Sequence, residues 1–188
     1  MIIVTGGAGF IGSNFILKFL EASNENLLNL DNLSYAANLS NLKTIDSDPR
    51  YSFSKINIQN QSEIEAIVKE VKPRAILNFA AESHVDRSIE GPESFINTNI
   101  LGTYSLLEAA LNYWNDLDEN GKKIFRFFHI STDEVFGSLD INDKKSTEES
   151  SYKPNSPYSA SKAASDHLVR AWHHTFKLPT LVSNCTNN

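Results

Sequence analysis

The sequence predicts an α/β protein built on a doubly wound parallel sheet with helices on both faces. Three observations carry this expectation. Short apolar runs alternate with segments of helical periodicity along the 188 residues, the pattern of strands joined by crossover helices. A glycine-rich turn separates the first run from the first helical segment. The fifth run, residues 124–130, is nearly all apolar, as a strand covered on both faces requires.

Each element has its own signal. Ile2, Ile3 and Val4 make a short β-rich run, and Phe15, Ile16, Phe19 and Leu20 follow at helical spacing. Residues 27–30 and 51–58 read as the second and third strands. Ser62 with Glu65 three residues on reads as a capping box, opening a helix with Ile64, Ile67, Val68 and Val71 on one face. Pro73 ends that helix, and residues 75–79 form a fourth strand. Pro92 suits a first helical turn, after which Phe95, Ile96, Asn99, Thr103, Leu106, Leu107, Ala110 and Trp114 trace one long helix. Phe125, Phe127 and Phe128 in the fifth strand are core candidates. The polar stretch 140–157 is too long for a simple connection and is expected to be a functional loop. A helix over 159–176 and a sixth strand over 180–185 complete the alternation.

Composition narrows the function classes. Seventeen basic against twenty-three acidic residues give a net charge of −6, which disfavours nucleic acid or an acidic membrane surface as partner. A single cysteine, Cys185, excludes an internal disulfide framework and fits a reducing compartment. No apolar run approaches the 18 or so residues of a membrane span. Met1 leads directly into Ile2, Ile3, Val4 and the glycines, which leaves no room for a leader. The expectation is a cytoplasmic globular chain. Its last residues read as a strand running into a loop, which suggests truncation.

The glycine turn, Thr5-Gly6-Gly7-Ala8-Gly9-Phe10-Ile11-Gly12, satisfies both G-x-G-x-x-G and G-x-x-G-x-x-G. Missing side chains let the backbone turn sharply and let a pyrophosphate approach the amides of a helix N-terminus, as in a Rossmann-type dinucleotide site. Asp31 ends the second strand nineteen residues after Gly12, where a carboxylate binds a ribose 2′-hydroxyl. No basic residue follows it before Lys43, which favours NAD over NADP. A tight turn beside a solvated aspartate is the plain alternative.

Tyr158 and Lys162 form Tyr-x-x-x-Lys at the start of a helix, so both side chains point to one face. An ammonium beside a phenol favours the phenolate. Moving a tyrosine from about 10 to near 7 takes roughly 4 kcal/mol, which Lys162 and a positively charged nicotinamide can supply together. Ser131-Thr132-Asp133-Glu134 follows the fifth strand directly, where ligands bind in open α/β sheets. Two adjacent carboxylates can divide into an acid and a base, which suits elimination of water next to a carbonyl. A helix N-cap is the competing account of the same residues.

These residues carry a resemblance to the nucleotide-sugar branch of the extended short-chain dehydrogenase/reductases, and within it to the dTDP-glucose 4,6-dehydratase family. The matching stretches are 5–13, 31–38, 80–88, 95–103, 129–137, 156–171 and 184–188, and they cover the whole chain. Thr132-Asp133-Glu134 is the most specific part, because sugar 4-epimerases of the same branch keep the tyrosine and lysine but lack the acid/base pair.

The resemblance implies a lyase acting on dTDP-glucose with NAD. Tyr158, with Lys162, takes the proton of the 4-hydroxyl while hydride passes to NAD, and Thr132 hydrogen-bonds that oxygen. Glu134 removes the C5 proton, Asp133 protonates the departing 6-hydroxyl, and hydride returns to C6. Ser83 and Asn187 touch the substrate. Gly6, Gly9, Phe10, Ile11, Gly12, Asp31, Asn32, Ser34, Ala80, Ala81, Thr98 and Asn188 line the cofactor together with the catalytic tyrosine and lysine. Asn57, followed by Ile58, stands beside the adenine where the family usually has an aspartate, and an amide there still accepts from the adenine amino group. Asn32 replaces a common lysine, and Phe136 a common tyrosine. The resemblance further implies a homodimer pairing through the long helix and the Tyr158 helix. On this reading residues 1–188 are the NAD-binding, Rossmann-type domain with the catalytic residues, and the C-terminal substrate lobe is absent from the chain. A 4-epimerase, or a cofactor-binding fragment without turnover, are the rivals.

Other groups read as structural. Ser83, His84 and Asp86 lie too close in one loop to form a hydrolase triad. His129, His167, His173 and His174 have no cysteine or acid at ligand spacing, so no metal site is expected.

Overall fold

The computed structural model describes residues 1–140 and 142–186. Strands β1 (Ile2–Thr5), β2 (Leu27–Asp31), β3 (Tyr51–Lys55), β4 (Ala75–Asn78), β5 (Arg126–Thr132) and β6 (Thr180–Cys185) form one sheet in the order β3-β2-β1-β4-β5-β6. All the pairings are parallel. The chain winds outward from β1 to β3, then crosses back to place β4 on the other side of β1. That reversal lies between β1 and β4, and crevices open beyond the carboxyl ends of strands at such a point.

Alternation along the strands divides the apolar residues between two cores. β1 sends Ile3 into one and Ile2 and Val4 into the other; β4 sends Ile76 one way and Ala75 and Leu77 the other. The first core is closed by helices α2 (Gln61–Val71), α5 (Thr103–Asn115) and α7 (Pro157–Phe176) through Ile64, Val68, Leu106, Leu107 and Val169. The second is closed by α1 (Phe10–Ala22) and a 3-10 helix, Leu39–Ile45, through Ile16, Leu20 and Leu42. Helices therefore cover both faces of a doubly wound parallel sheet, as predicted. Phe125 and Phe127 are fully buried core residues, and Phe128 packs at the edge of the second core.

Several boundaries differ from the sequence expectation for identifiable reasons. The Ser62–Glu65 capping box does not form. The cap of α2 is Asn60, Ser62 donates to the Asn60 side chain, and Glu65 instead accepts from Gln61 and Asn112. The one capping box found belongs to α7, where Ser156 and Ser159 satisfy each other's backbone amides and Pro157 takes the first turn; α7 thus starts earlier than residue 159. β3 stops at Lys55, although Ile56 and Ile58 beyond it remain buried. Ile124 belongs to a short helix, α6 (Glu119–Ile124), and is exposed, so β5 begins only at Arg126. Two further short helices, α3 (Val85–Glu90) and α4 (Glu93–Phe95), precede the predicted long helix.

The long helix is also not uniform. Between α4 and α5 the residues Ile96–Gly102 are π-helical, a widening that often marks functional regions. It turns Asn99 inward to 1% exposure. The Asn99 amide accepts from Glu82 N (2.9 Å) and donates to Glu82 O (2.9 Å) and Ser161 Oγ (2.8 Å). One side chain thereby ties the loop after β4 to α7. Asn99→Ala strands the Glu82 amide and carbonyl, so we expect a loss of about 3 kcal/mol of unfolding free energy, measured by urea denaturation.

Candidate active site

The glycine turn is shaped by three different demands. Gly6 has φ +72, and a Cβ there would lie 2.5 Å from the Ala80 backbone nitrogen, so both backbone strain and contact require glycine. A Cβ on Gly12 would overlap the Gly6 carbonyl. Gly9, the N-cap of α1, differs: its Cβ would meet only Gly6 O, at 3.4 Å. The α1 terminus has no side-chain cap and no acidic residue in its first turn, so its first amides point into solvent space. Phe10, beside them, is 66% exposed.

Asp31 ends β2 and is buried. Its carboxylate accepts from Ala8 N (2.9 Å) and Leu33 N (2.8 Å), which fixes it against the glycine turn with one lone pair left on each oxygen.

A cleft of about 500 Å³ runs from this turn, over the ends of β1 and β4, to the end of β5. Gly6, Gly9, Phe10, Ile11, Gly12, Asp31, Asn32, Ser34, Asn57, Ile58, Ala80, Ala81, Ser83 and Thr98 line it at one end and the middle. Thr132, Glu134, Tyr158 and Lys162 line the other end. Asp133 is not among the lining residues, and Asn187 and Asn188 lie outside the described residues. The sequence reading missed Ala36, Ala37, Ile56, Phe79, Glu82, Ile130, Ser131, Cys185 and Thr186, which also line the cleft. Most of these flank a residue that the motifs named, so adjacency was the available signal.

The N-cap account of the Thr132 segment is observed, and one of its two carboxylates, Glu134, lines the cleft. The Thr132 side chain caps a 3-10 turn, Asp133–Phe136, by accepting from Glu134 N at 3.2 Å. The same turn aims Glu134 into the cleft while Asp133 stands beside it, near Thr132 Oγ1 (3.5 Å). Burial, and then the neighbouring Asp133 carboxylate, raise the Glu134 pKa. A carboxyl so placed accepts a proton near neutral pH more readily than a solvated one.

Tyr158 and Lys162 lie on the buried face of α7. Lys162 is 3% exposed, and its ammonium donates to Ile130 O at 2.8 Å. That is its single hydrogen-bond partner among the described residues, which leaves two N–H groups at the cleft. Burial lowers its pKa to about 8, against the opposing charges of Asp166 and Cys185. Tyr158 is shifted upward. Burial, reinforced by the charges of Glu134, Asp133 and Asp166 and opposed by Thr132, pushes its phenol up to about 12. The protein's own groups favour the phenol, so lowering it needs a positive charge brought in by a ligand.

Behind the cleft lies a polar network that no motif announced. Thr5 Oγ1 donates to Asn78 Oδ1 (2.7 Å), and Asn78 Nδ2 faces His129 Nδ1 (3.2 Å). His129 Nε2 faces Ser165 Oγ at 3.2 Å and Asp166 Oδ1 at 3.4 Å. Burial holds the imidazole down at about 4, so it is neutral. Among the described residues no three His, Cys, Asp or Glu side chains converge in a metal-holding group.

Residues 3–188 match the family model described as GDP-mannose 4,6 dehydratase. The chain belongs to this family. It is 53% identical over 187 residues to the dTDP-glucose 4,6-dehydratase of Haemophilus influenzae, covering 100% of this chain and 55% of that protein. It is 51% identical over 195 residues to the enzyme of the same name from Salmonella typhimurium, covering 100% and 54%. Among solved structures, the dTDP-glucose 4,6-dehydratase of Bacillus anthracis in complex with NAD superposes with a TM-score of 0.86 at 42% identity, over 100% of this chain and 55% of that one. A UDP-glucose 4-epimerase from Thermus thermophilus, also with NAD, gives 0.82 at 27% identity, over 97% and 54%. The chain spans about half the length of the curated relatives it matches.

Two stability measurements check the site's construction. Gly6→Ala and Gly12→Ala should each destabilise by about 2 kcal/mol or more through strain and overlap, whereas Gly9→Ala should stay within about 1 kcal/mol. Lys162 titrates near 8 folded and near 10.5 unfolded. Below that window the lysine is protonated in both states and above it in neither. Within the window only the unfolded chain holds the proton, so stability rises with pH. Wild type should gain on Lys162→Met by up to about 1.4 kcal/mol per pH unit there, as read from urea unfolding at fixed pH values.

Proposed function

We propose that the chain is the NAD-binding, catalytic-residue-bearing part of a dTDP-glucose 4,6-dehydratase, a hydro-lyase that converts dTDP-glucose to the 4-keto-6-deoxy sugar. The observation that carries this is one cleft holding Glu134, Thr132 and the Tyr158–Lys162 pair opposite a glycine turn and Asp31. The named relatives support the choice of dTDP-glucose as substrate. Their greater length supports placing a substrate lobe outside residues 1–188.

The cleft suits NAD on its own terms. Gly9 leaves open space at the uncapped α1 terminus, where backbone amides and the helix dipole receive a pyrophosphate. Asp31 is placed for ribose hydroxyls, and a 2′-phosphate would meet its charge. Asn57 and Ile58 lie at the adenine end, beside Asn32 and Ser34; Thr98, Ala80 and Ala81 form the middle. Lys162 has two free N–H groups for the second ribose. NAD, when bound, supplies the hydride acceptor at C4 and the donor at C6.

The chain's own groups handle the protons. Tyr158 takes the proton of the 4-hydroxyl, with Thr132 holding that oxygen and Lys162 stabilising the phenolate. A carbonyl at C4 acidifies C5, and Glu134, with its raised pKa, takes that proton. Asp133 gives a proton to the departing 6-hydroxyl, which requires the 3-10 turn to present it to the sugar. Ser83 holds the sugar from the loop after β4.

Exposed Ile96, Leu101 and Tyr104 on the π-turn and α5, with Phe176 on α7, support a homodimer through these helices. Among the described residues no helix is long and apolar enough to cross a membrane; with one cysteine and net negative charge this supports a cytoplasmic enzyme.

Substrate deuterated at C4 tests the reaction. Migration of the label to C6 without net NADH is expected; label retained at C4 with inverted configuration would replace this reading with a 4-epimerase. Glu134→Gln should lower dehydration by about 10²- to 10⁴-fold while C4 oxidation persists. Gly9→Ala, neutral for stability, should weaken NAD binding at least tenfold by calorimetry, because its methyl occupies space the protein leaves open.

A further inference from the structure

We propose that Asp166 is the buried counter-charge of Lys162, a positioning residue that keeps the lysine an ammonium facing the cleft. Lys162 and Asp166 lie one turn apart on α7, and they grip consecutive residues of β5. Lys162 donates to Ile130 O at 2.8 Å, and Ser131 Oγ donates to Asp166 Oδ2 at 2.7 Å. Tyr152, from the polar loop before α7, donates to the same oxygen at 2.9 Å. The three groups Lys162, Asp166 and His129 are 3%, 4% and 1% exposed, so water screens none of them. Asp166 Oδ1 has no hydrogen-bond partner among the described residues and lies 3.4 Å from His129 Nε2.

His129 Nε2 is the nearer basic group to this carboxylate, at 3.4 Å, and Lys162 lies one helical turn away on α7. The Asn78 amide, oriented by Thr5, points an N–H at His129 Nδ1, which must therefore be an acceptor. That leaves the proton on Nε2 and the ring neutral; burial, and then the charge of Lys162, act in the same direction. His129 gives Asp166 a dipole and no charge. The negative charge is left to Lys162, and it raises the lysine's proton affinity against the burial that lowers it. Other groups surround the pair: Cys185 on β6 acts on Lys162, while Asp166, Glu134 and Asp133 act on Tyr158, and Arg170 acts on Tyr152. Of these charges, Asp166 leads those opposing the desolvation of Lys162.

The catalytic consequence rests on the function proposed above, but the charge coupling does not, so the two are tested apart. In the 188-residue chain with ¹³C-labelled lysine, NMR should follow Lys162 titrating near pH 8. Asp166→Asn should lower that midpoint by a unit or more, a tenfold loss of proton affinity. Tyr152→Phe removes a hydrogen bond but no charge and should leave it within a few tenths. Where Asp166→Asn fails to fold, Asp166→Ser, which keeps an oxygen for Ser131 and Tyr152 without the charge, gives the same reading. An unmoved Lys162 midpoint in the uncharged variant overturns the proposal, even if label migrates from C4 to C6. A shifted midpoint, with a full-length enzyme that does not move the label, upholds it and overturns the functional reading instead. In the full-length enzyme, the alkaline limb of the pH–rate profile should move to lower pH in Asp166→Asn, which a purely structural role would not cause.

Discussion

The hydrogen bond from Thr5 to Asn78, at 2.7 Å, is the constraint on which the rest of the structure depends. These residues end β1 and β4, the two strands between which the sheet reverses its winding. Past them the chain must diverge, into the glycine turn on one side and the loop carrying Ala80 to Ser83 on the other. The bond is buried, so either partner alone would strand a polar group at a cost of about 1–3 kcal/mol. It fixes where the crevice begins. It also orients the Asn78 amide, which in turn sets the tautomer of His129 one strand further along. Strand-end geometry and the protonation of the buried network are thus set by one side chain.

The cleft that opens there is electrostatically divided. At the glycine end, uncapped amides present partial positive charge and Asp31 is held by two amides. At the β5 end, carboxylates outnumber the lysine: Glu134, Asp133 and Asp166 all oppose ionisation of Tyr158. A protein that kept the phenolate unaided would expend binding energy holding an anion among carboxylates. In this chain the phenol is held at about 12, by burial first and by these charges after it. The π-turn bears on the cleft as well, because Asn99 holds the Glu82 backbone and Ser161 together and thereby sets the distance between the two ends.

The fold was legible because its signals are local and redundant. Alternating apolar runs, the glycine turn and Asp31 each depend on neighbours within about thirty residues, whereas strand order and register came only with the folded sheet. The cleft's lining was legible for the same reason, since every strand end carries a named motif residue to it. What escaped was non-local or depended on competition. Ser62 and Glu65 have the spacing of a capping box, yet Asn60 captured Ser62 and Asn112 captured Glu65. Asp166 sits at the i+4 position from Lys162, a spacing visible in the sequence, but the partners that define it arrive from β5 and the 140–157 loop. His129 has no partner at ligand spacing in the sequence, and Asn78 and Asp166 reach it from two other elements.

The adjacent acid and base illustrate how far local sequence constrains chemistry. Because β5 ends in a residue that caps a 3-10 turn, the next two side chains cannot point the same way. Glu134 enters the cleft and Asp133 remains beside it. The cap therefore does more than end a strand: it sets two carboxylates side by side, and the charge of Asp133 adds to burial in raising the Glu134 pKa. Glu134, half-buried like its neighbour, carries a raised proton affinity. Replacing Thr132 would remove the cap of this turn. The helix cap and the cleft-lining Thr132 and Glu134 are here one arrangement of atoms.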